Sequence, residues 1–578
     1  MFKLVRVNMR TKICQFEEVP GHYANLGGRA LTSAIVNREV NPTCTPIGPH
    51  NKLVFAPGLL GGTFCPNSGR ISVGAKSPLT GGIKESNSGG QAGGYLAKMG
   101  IMAVVIEDQA PEGQWFKLEL TASDARLKPA EDLSGLNNWD TVEKLVGQYG
   151  TDCAYITIGR AGEFKLTAAS VAFTDKELRP ARHAGRGGLG AVMGSKGLKA
   201  IVVNPGGCEA PPIKNHDLFT DASKRFAKLV MGHPASGKGM ALYGTAEMVN
   251  VINEAGGLPV RNFRSGRFDQ AESVSGETLN KVTTERGGEG RTAHGCMTGC
   301  IIRCSGLYPD KDGKLMGKWP EYETLWSFGP DLGIDDMDMI VRFDKMCDDI
   351  GVDTIDVGAA IGVAMEAGVL DFGDVGGVLE LMKEISAGSA LGRVIGCGAA
   401  TTGRVYGVRR VPVVKGQSMP AYDPRAIKGN GVTYATSPMG ADHTAGYAVV
   451  SNIFGLGGRV DALGTEGQTA LSRKMQIFSA FLDSAGLCLF TKFPFMEQPE
   501  TYQAVADMLN AKYGSELAVD DLNLIGKRVL EDELDFNRRA GFTSAHDRLP
   551  DFMVDEPLPP HNSTFDLSSE DLDSTLKW

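Results

Sequence analysis

Three cysteines lie at four-residue intervals near the middle of the 578-residue chain, in the segment Cys296-Met-Thr-Gly-Cys300-Ile-Ile-Arg-Cys304. Closely spaced cysteines in a chain without a recognisable secretory signal favour metal or cluster ligation over disulfide formation. An iron–sulfur cluster normally takes four thiolates, so this segment supplies one too few. The sequence therefore predicts a cluster whose fourth ligand comes from elsewhere in the chain.

A second pattern occurs twice, at Asp348-Asp-Ile-Gly351-Val-Asp353 and at Asp483-Ser-Ala-Gly486-Leu-Cys488. Each copy follows an amphipathic helical stretch. We therefore expect a carboxylate at a helix C-terminus, then a glycine in the left-handed cap conformation, then backbone N–H groups that face outward. A simpler interpretation is that Asp and Gly merely end two helices. The recurrence of the whole pattern makes this interpretation less convincing than a ligand-binding role. Two like cradles favour a bulky ligand with two like halves.

The composition describes a large globular protein around these motifs. A length of 578 residues predicts two or three domains, and 42% hydrophobic with 22% charged residues is ordinary globular composition. A net charge of −9 argues against nucleic acid and anionic membrane as partners. The first residues alternate like a strand, and no run of about 18 apolar residues occurs, so we expect a cytoplasmic protein without membrane insertion. Its 75 glycines suit a backbone that closely approaches a bulky ligand.

The secondary structure that must position these residues changes from strands to helices along the chain. Residues 1–208 contain β-branched runs bounded by Gly, Pro or Asn, beginning with a hairpin of Leu4–Asn8 and Ile13–Glu17, and one short helix is expected from an Asp140 N-cap. Beyond a boundary near residues 206–212 the apolar period becomes helical. Helices are predicted at 218–229, 240–255, 338–347, 357–367, 378–385, 471–482 and 502–509. The tail from Pro550 is expected to form an extended arm over the surface.

The sequence thus predicts an α+β multidomain fold. A β-rich base domain, residues 1–208, is followed by two mainly α-helical domains, residues 209–412 and 413–578. The first helical domain carries the three cysteines and the first Asp-x-x-Gly motif, and the second carries the other copy and the tail. A ligand with two like halves would lie buried between them.

Several further motifs, in their order along the chain, resemble those of the tungsten-containing aldehyde ferredoxin oxidoreductase family. The resemblance extends nearly from end to end and includes Cys488 and both Asp-x-x-Gly motifs. It also includes Pro66-Asn-Ser-Gly-Arg70, Lys76-Ser-Pro-Leu-Thr-Gly81, Ser86-Asn-Ser-Gly-Gly90, Gly185-Arg-Gly-Gly-Leu-Gly-Ala-Val-Met-Gly-Ser-Lys196 and Pro320-Glu-Tyr-Glu-Thr324. The resemblance implies tungsten or molybdenum between the dithiolenes of two pyranopterins, a [4Fe-4S] cluster beside one pterin, and a magnesium ion.

The resemblance also assigns the cluster ligands. Cys296, Cys300 and Cys304 together with Cys488 would supply the four thiolates, with Cys488 placing the cluster against a pterin. The commoner family pattern has two residues between the first and second cysteines, whereas this chain has three. A helical four-residue step would still present Cys296 and Cys300 on one face. The departure makes Cys296 the weakest ligand assignment and indicates a divergent branch.

Cofactor-binding residues are implied by the same resemblance. Arginines beside Gly-rich turns suit phosphate, two backbone carbonyls would hold magnesium, two glycines would permit close approach, and the Asp-x-x-Gly residues would hydrogen-bond the pterins. The implied set is Arg70, Arg182 and Arg186 for phosphate; Asn87 and His183 for magnesium; Gly89 and Gly185 for approach; Asp348, Val352, Asp353, Asp483, Leu487 and Cys488 for the pterins; and Asp442, His443 and Thr444 for the cofactor. Position 445 is an alanine, whereas relatives can have a basic residue there that contacts the pterin, and this difference also indicates a divergent branch.

Glu323 and His443 match the family's candidate acid–base and substrate-orienting pair. A histidine can hydrogen-bond an aldehyde carbonyl, and a desolvated carboxylate can take a proton from water. Two alternatives stay open, namely that Glu323 is a helix-start carboxylate and that Glu321 exchanges roles with it.

The resemblance implies oxidation of an aldehyde to a carboxylic acid, with electrons passing to ferredoxin or a ferredoxin-like iron–sulfur subunit. The alternative is a tungstopterin catalytic subunit of a multi-subunit reductase, such as a class II benzoyl-CoA reductase, because fold does not decide substrate. A degenerate, non-catalytic scaffold is disfavoured because every expected ligand position is filled. Homo- or hetero-oligomers fit either activity. No iron bridge between subunits is expected, because no histidine lies between His294 and His443.

Overall fold

The β-branched runs of the first third and the helical periods beyond it form strands and helices in a computed structural model that describes residues 2–578. The β-strands are β1 Lys3–Asn8, β2 Ile13–Glu18, β3 Leu53–Pro57, β4 Ile71–Lys76, β5 Ile83–Ser88, β6 Ile101–Glu107, β7 Phe116–Leu120, β8 Ala125–Pro129, β9 Ala154–Thr157, β10 Val171–Phe173, β11 Arg182–Ala184, β12 Leu198–Val203, β13 Arg291–His294, β14 Ser305–Pro309, β15 Leu315–Lys318, β16 Val413–Val414 and β17 Gln417–Ser418. The α-helices are α1 Gly28–Glu39, α2 Ala92–Lys98, α3 Asn138–Tyr149, α4 Arg160–Glu163, α5 Leu189–Ser195, α6 His216–Gly232, α7 Met240–Tyr243, α8 Met248–Glu254, α9 Gly276–Arg286, α10 Tyr322–Phe328, α11 Met337–Ile350, α12 Thr354–Glu366, α13 Val375–Ala387, α14 Ala390–Gly396, α15 Ala399–Tyr406, α16 Lys428–Thr436, α17 Val449–Asn452, α18 Gln468–Ala485, α19 Lys492–Glu497, α20 Glu500–Tyr513, α21 Val519–Arg539, α22 Asp551–Asp555 and α23 Ser569–Ser574.

Two six-stranded sheets form the first part of the chain, in the orders β2-β1-β6-β3-β4-β5 and β11-β10-β9-β12-β7-β8. The predicted first hairpin is confirmed, with Lys3 opposite Glu18 and Asn8 opposite Ile13. The two sheets share one apolar core, so they pack face to face. Helix α1 covers the other face of the first sheet, and α3 covers that of the second. This double coverage explains why β3 and β4 are buried at every position.

Most predicted helices are confirmed. The stretches 218–229, 338–347, 357–367, 378–385, 471–482 and 502–509 lie in α6, α11, α12, α13, α18 and α20. The predicted helix at 240–255 is instead divided into α7 and α8, because Gly244 takes a φ of 61° that ends α7. Helix α3 begins at Asn138 with Asn137 as its N-cap residue, so the prediction of an Asp140 N-cap is wrong.

Helix α21 was not predicted, although it spans 21 residues. Its buried side includes Gly526, Glu533 and Asn537 between the apolar residues, which interrupts the apolar stripe that helical periodicity requires. It packs against α18 and α1, so it joins the two ends of the chain. The tail from Pro550 does pack on the rest of the molecule, but it carries the short helices α22 and α23 instead of being extended throughout.

The predicted fold class is confirmed, with a β-rich first part followed by mainly helical regions. One apolar core runs through much of the helical part, and the domain divisions at residues 208 and 412 stay predictions. A third sheet, with order β13-β14-β15, lies within the helical part and brackets the cysteine segment. Within residues 2–578, no helix has the length and apolar character that a membrane crossing demands.

A buried ion pair connects α1 to α21. The Arg29 guanidinium is 1% exposed and donates to both carboxylate oxygens of Glu533, at 2.9 and 2.8 Å. Its third nitrogen donates to Asp483 at 3.3 Å, at the end of α18. Replacing one member of a buried pair leaves the other charge uncompensated.

We therefore expect Arg29→Met to destabilise the protein by about 3–5 kcal/mol. Denaturant unfolding followed by circular dichroism should show a lower midpoint. Arg38→Met is the matched control, because Arg38 lies exposed on the same helix. Equal midpoints for the two variants would contradict a structural role for the Arg29 pair.

Candidate active site

A cavity with about 1750 Å³ of empty space, its mouth included, lies where β5 of the first sheet and β11 of the second sheet meet the helical part. Its wall contains nearly all of the residues predicted for the site. These are Arg70, Asn87, Gly89, Arg182, His183, Gly185, Arg186, Cys296, Cys304, Glu323, Asp348, Val352, Asp353, Asp442, His443, Thr444, Asp483 and Cys488. Two predicted residues, Cys300 and Leu487, are not part of the wall itself. Side chains distant in sequence thus converge on one enclosed volume.

Both Asp-x-x-Gly motifs end a helix as predicted. Gly351 caps α11 with a φ of 80°, and Gly486 caps α18 with a φ of 77°, both in the left-handed region. A Cβ on Gly486 would lie 2.8 Å from the Gly58 Cα, and one on Gly351 would lie 2.9 Å from the Gly159 nitrogen. Backbone conformation and crowding therefore both favour glycine at these caps.

The prediction that the cap N–H groups face the ligand is wrong. The Val352 N–H donates to the Cys347 carbonyl at 3.0 Å, and the Leu487 N–H donates to the Leu482 carbonyl at 3.0 Å. These bonds belong to the helix caps themselves, which use the N–H groups after the glycine to satisfy the last carbonyls. The Cys488 N–H likewise donates to Asn67, at 2.9 Å. The carboxylates are therefore the polar groups that the motifs offer to the cavity.

The two motif carboxylates have similar surroundings. Asp348 accepts from Lys318 Nζ at 2.8 Å and lies 3.3 Å from His183 Nε2. Asp483 accepts from Arg29 at 3.3 Å and from Asn87 Nδ2 at 3.0 Å. Burial raises the pKa of each carboxyl, and the adjacent cation opposes that rise. Each motif therefore presents a carboxyl group paired with a cation, the buried Arg29 at Asp483 and the partly buried Lys318 at Asp348.

Sequence reasoning missed those two cations. Lys318 lies at the end of β15 and Arg29 in the first turn of α1, and neither belongs to a recognisable motif. Their partners are 30 and 454 residues away along the chain. An unpaired carboxylate in the interior is costly, so a cation near each motif carboxylate was to be expected. The sequence did not indicate which residue would supply it.

The three predicted phosphate-binding arginines differ in their contacts. Arg70 donates to the Asn87 side chain and to the Asn87 carbonyl, the latter at 3.1 Å. Arg182 donates to Ser305 at 3.0 Å, while its Nε has no hydrogen-bond partner within residues 2–578. Arg186 is occupied by the carbonyls of Ala441 and Ser418, at 2.7 and 2.6 Å. Arg182 is thus the one of the three with a buried donor left to offer.

The glycines beside these arginines have little room for a side chain. A Cβ on Gly89 would lie 3.1 Å from Cys296 Sγ. A Cβ on Gly185 would lie 3.1 Å from Asp353 Oδ1. Both contacts are tighter than ordinary packing, so the cavity wall at these points is made of bare backbone.

The cysteine segment is a loop between β13 and β14, so the predicted helical step is wrong. Gly299, with a φ of 77°, and Arg303, with a φ of 57°, turn the chain. His294 and Ser305 pair across the sheet, which fixes both ends of the loop. The extra residue between the first two cysteines is therefore accommodated by a turn.

The four predicted cluster cysteines lie in one region, and none forms a disulfide. Cys296, Cys304 and Cys488 line the cavity. The two neighbouring thiols affect each other, since Cys300 raises the pKa of Cys296 and Cys296 lowers that of Cys300. The Cys300 sulfur also accepts from Asn67 Nδ2 at 3.5 Å and from the Arg303 N–H at 3.4 Å.

This donor set fits a cluster of several irons better than a single ion. Nowhere in residues 2–578 do three His, Cys, Asp or Glu side chains converge closely enough to hold one metal ion. Three thiols line the cavity and Cys300 lies in the same loop as two of them, with N–H donors to its sulfur. Iron–sulfur clusters are held by four cysteine thiolates and tuned by hydrogen bonds to sulfur, so the residues present fit such a cluster. The buried, unpartnered atoms elsewhere in the wall, Arg182 Nε and Glu85 Oε1, similarly fit a large polar cofactor.

Glu323 and His443 meet at another part of the wall. Glu323 is 8% exposed and lies in the first turn of α10, and its Oε2 accepts from the Ala421 N–H at 2.9 Å. Its Oε1 lies 3.5 Å from His443 Nε2. Among residues 2–578, neither Glu323 Oε1 nor His443 Nδ1 has a hydrogen-bond partner. Two polar groups that can exchange or orient a proton thus face the same space.

The helix-start alternative for Glu323 does not match these contacts, because the residue caps no N–H of its own helix. Glu321 is the N-cap residue of α10, and its carboxylate accepts from Thr245 Oγ1 at 2.7 Å. Its side chain is 38% exposed. The carboxyl group that faces His443 is therefore that of Glu323.

Burial dominates the protonation of this pair. It raises the pKa of Glu323 to about 8 and lowers that of His443 to about 3. At neutral pH the imidazole is therefore uncharged, with one N–H to donate. The pKa of the carboxyl group lies close to neutral pH, so both its protonated and its ionised form are populated. A general base with a pKa near the working pH is what acid–base catalysis favours.

Three tyrosines that the sequence analysis did not select surround the pair. Tyr322, Tyr422 and Tyr447 all line the cavity. The Tyr422 ring lies 6.0 Å from His443 and 5.7 Å from Tyr447, and the hydroxyls of Tyr422 and Tyr447 are 2.6 Å apart. The hydroxyl of Tyr322 donates to the Ala421 carbonyl at 2.7 Å, so all three hydroxyls have a protein partner. No local motif signals these residues.

Comparisons with known proteins agree with this geometry. The sequence models of the aldehyde ferredoxin oxidoreductase N-terminal domain and of domains 2 and 3 match residues 4–205 and 221–577. The tungsten-containing aldehyde ferredoxin oxidoreductase of Pyrococcus furiosus is 33% identical, over 96% of this chain and 92% of its own length. The enzyme of the same name from Thermococcus kodakarensis is also 33% identical, over 96% and 92% of the two chains.

A solved structure shares the fold. The active site complex BamBC of benzoyl coenzyme A reductase, in complex with 1,5-dienoyl-CoA, superposes with a TM-score of 0.81 at 18% identity. The match covers 99% of this chain and 92% of that one. At this identity the likeness concerns the fold alone. From the two domain matches and the identity to the curated relatives, the chain belongs to the tungsten-containing aldehyde ferredoxin oxidoreductase family and is an oxidoreductase.

Proposed function

We propose that this protein oxidises an aldehyde to a carboxylic acid and passes the electrons through a [4Fe-4S] cluster to ferredoxin or a ferredoxin-like subunit. The observation that carries the proposal is the Glu323–His443 pair: Glu323 Oε1, which has no hydrogen-bond partner within residues 2–578, lies 3.5 Å from His443 Nε2. The pair shares its cavity with both Asp-x-x-Gly carboxyls and three of the cysteines. The names of the relatives, tungsten-containing aldehyde ferredoxin oxidoreductases, support the same activity.

Membership of this family implies a tungstopterin cofactor, with molybdenum as the alternative metal. When bound, a tungsten bis-pyranopterin supplies a two-electron acceptor for the aldehyde carbon. Asp348 with Asp353 and Asp483 with Cys488 would hold one pterin each, and Arg70 and Arg182 would face the phosphates. Val352, Leu487, Gly89 and Gly185 would shape the backbone around the pterins, and Arg186, Asp442 and Thr444 would support the wall between them.

A magnesium ion at the carbonyls of Asn87 and His183 belongs to the same proposal. The two residues lie on β5 and β11, which are in contact, and both line the cavity. The Asn87 carbonyl accepts from Arg70 at 3.1 Å, so a cation there would share this oxygen with the guanidinium. The four cysteines would hold the cluster beside the pterin at Asp483.

The oxidation needs proton transfer by the chain itself. In the balanced reaction an aldehyde and water yield a carboxylate, three protons and two electrons. The neutral imidazole of His443 donates a hydrogen bond to the aldehyde oxygen and orients the carbonyl. The Glu323 carboxylate accepts a proton from water that attacks the carbonyl carbon. The surrounding rings exclude bulk water, which strengthens both interactions.

The proposal is tested by an anaerobic assay of the purified, metal-loaded protein with a panel of aldehydes and a viologen dye. We expect dye reduction with at least one aldehyde and formation of the matching carboxylic acid. Reductive turnover of an aromatic acyl-CoA, with no reaction of any aldehyde, would assign the chain to the benzoyl-CoA reductase activity instead. The assay includes heat-denatured protein, which reveals dye reduction by released cofactor.

A further inference from the structure

One fully buried cation is not used by the proposed reaction. Lys492 is 0% exposed at the start of α19, and its Nζ has no hydrogen-bond partner within residues 2–578. A buried ammonium is rare unless an anion or a hydrogen bond compensates its lost hydration. Within residues 2–578, no side chain forms a hydrogen bond or an ion pair with this buried ammonium, so its burial is not compensated by direct contact.

Aromatic rings surround the ammonium. Its Nζ lies 3.0 Å from the centroid of the Tyr447 ring, 5.3 Å from that of Phe493 and 5.6 Å from that of Phe490. Cation–π attraction favours the charged form in such surroundings and offsets part of the burial cost. Rings also keep water away, so the field of the charge is weakly screened.

The lysine lies close to a proposed cluster ligand. A helical run continues from Leu489 through α19, with Cys488 as its N-cap residue. Cys488 has extended backbone angles, so it does not share a helical face with Lys492. Two of the rings around the ammonium, those of Tyr447 and Phe490, line the same cavity as Cys488. Burial lowers the pKa of Lys492 well below its usual value, and the charges of Cys488 and Glu247 act in the opposite direction. The lysine thus packs against the part of the wall that carries Cys488.

Two arginines also act on these thiols, but each has other hydrogen-bond acceptors. Arg70 donates to Asn87, and Arg182 donates to Ser305. Lys492 differs from both because its Nζ has no hydrogen-bond acceptor within residues 2–578. Iron–sulfur potentials depend on the net charge around the cluster and on its burial.

We propose that Lys492 is the internal counter-cation of the reduced cluster, which it stabilises relative to the oxidised form. One electron enters the cluster during reduction, and the ammonium keeps its proton and adds no electron. The lysine thereby raises the cluster's midpoint potential and favours electron flow away from the aldehyde. This inference rests on the cluster of the proposed function, and it gives Lys492 a tuning role instead of a catalytic one.

The test is an EPR-monitored redox titration of full-length protein purified anaerobically with its metals. Lys492→Met removes the charge and keeps the length of the side chain. In this variant we expect the equilibrium between oxidised and reduced cluster to shift at least about tenfold toward the oxidised form. The midpoint potential should therefore be lower by about 59 mV, the value of a tenfold change for a one-electron couple. Lys492→Arg keeps the charge and should restore a midpoint near that of the wild type, which a purely structural role would not predict.

Lys196→Met is the matched control. Lys196 is also 0% exposed, but its Nζ donates to backbone carbonyls such as that of Gly48 at 3.2 Å, among residues remote from the cysteine loop. Its variant should leave the cluster midpoint unchanged. If Lys492→Met does not assemble, Lys492→Gln serves as the second neutral variant, for which the same shift is expected.

An unchanged midpoint in a neutral Lys492 variant that retains the cluster signal overturns the inference and leaves the proposed function intact. A wild-type protein with full metal loading but no cluster signal overturns both. A shift in the Lys196 control as large as that in the Lys492 variant also overturns the inference, because the effect would then not be local.

Discussion

Glu323→Gln is expected to lower kcat for aldehyde oxidation by at least about 100-fold, since a positioned general base contributes about 10²–10⁴ to rate. The amide keeps the size of the side chain and the acceptor for the Ala421 N–H, but it cannot take a proton from water. Steady-state rates with a viologen dye measure the effect. Tungsten content measured on the same preparations shows whether the cofactor is retained.

The pH dependence of the aldehyde oxidation rate provides a second test of Glu323. Because burial raises the pKa of Glu323 to about 8, the carboxyl group is mostly protonated at pH 7 and ionises as the pH rises. Its basic form increases about tenfold between pH 7 and pH 9, from the ordinary titration of a single group. The wild-type rate should rise by a similar factor across this range, and the Gln variant should show no such rise.

Glu321→Gln is the matched comparison, because Glu321 lies two residues earlier and has a partly exposed side chain bonded to Thr245. We expect it to change kcat by less than about threefold, as for most substitutions away from a reacting group. An equal loss in the two variants, or a tenfold pH-dependent rise that persists in Glu323→Gln, would show that Glu323 is not the base.

Cys488→Ala should abolish the [4Fe-4S] EPR signal or convert it to that of a three-iron form, while tungsten content stays close to that of the wild type. The thiol is buried in the cavity wall, and it is the one cluster candidate outside the loop between β13 and β14. Electron transfer to ferredoxin should fall by at least about 100-fold, about 2.7 kcal/mol in the barrier. EPR on dithionite-reduced protein and metal analysis measure the two effects separately.

Cys153→Ala is the control for this prediction. Cys153 is also buried, but it packs in the apolar core beside α3 and the second sheet. Its removal should cost some stability and leave the cluster spectrum unchanged. An unaltered spectrum in Cys488→Ala would show that the fourth cluster ligand lies elsewhere in the chain.

Local patterns predicted those parts of the site whose conformation is decided within a few residues. The glycine caps at Gly351 and Gly486 follow from helix termination, and both were found where expected. The hairpin of β1 and β2 and most helices follow from apolar periodicity in the same way. Family motifs then indicated which of these caps and loops share a cavity.

The errors arose where distant contacts decide the conformation. The cysteine segment has the spacing of a helix, but the pairing of His294 with Ser305 makes it a loop. The N–H groups after the glycine caps are used by the caps themselves, which spacing alone does not reveal. Arg29 and Lys318 were missed because the residues that need their charge lie elsewhere in the sequence.

The contact between Arg29 and Glu533 has a consequence for the order of folding. The two residues are 504 positions apart, so the loop that they close is nearly the whole chain. Contacts of such high sequence separation form late, after local helices and hairpins. Until α21 docks on α1, Arg29 lacks the Glu533 carboxylate that binds two of its nitrogens, and only its third nitrogen has a partner, at Asp483. The Asp483 side of the cavity wall therefore reaches its final set of contacts only when the two ends of the chain have come together, which makes completion of this wall a late step of folding.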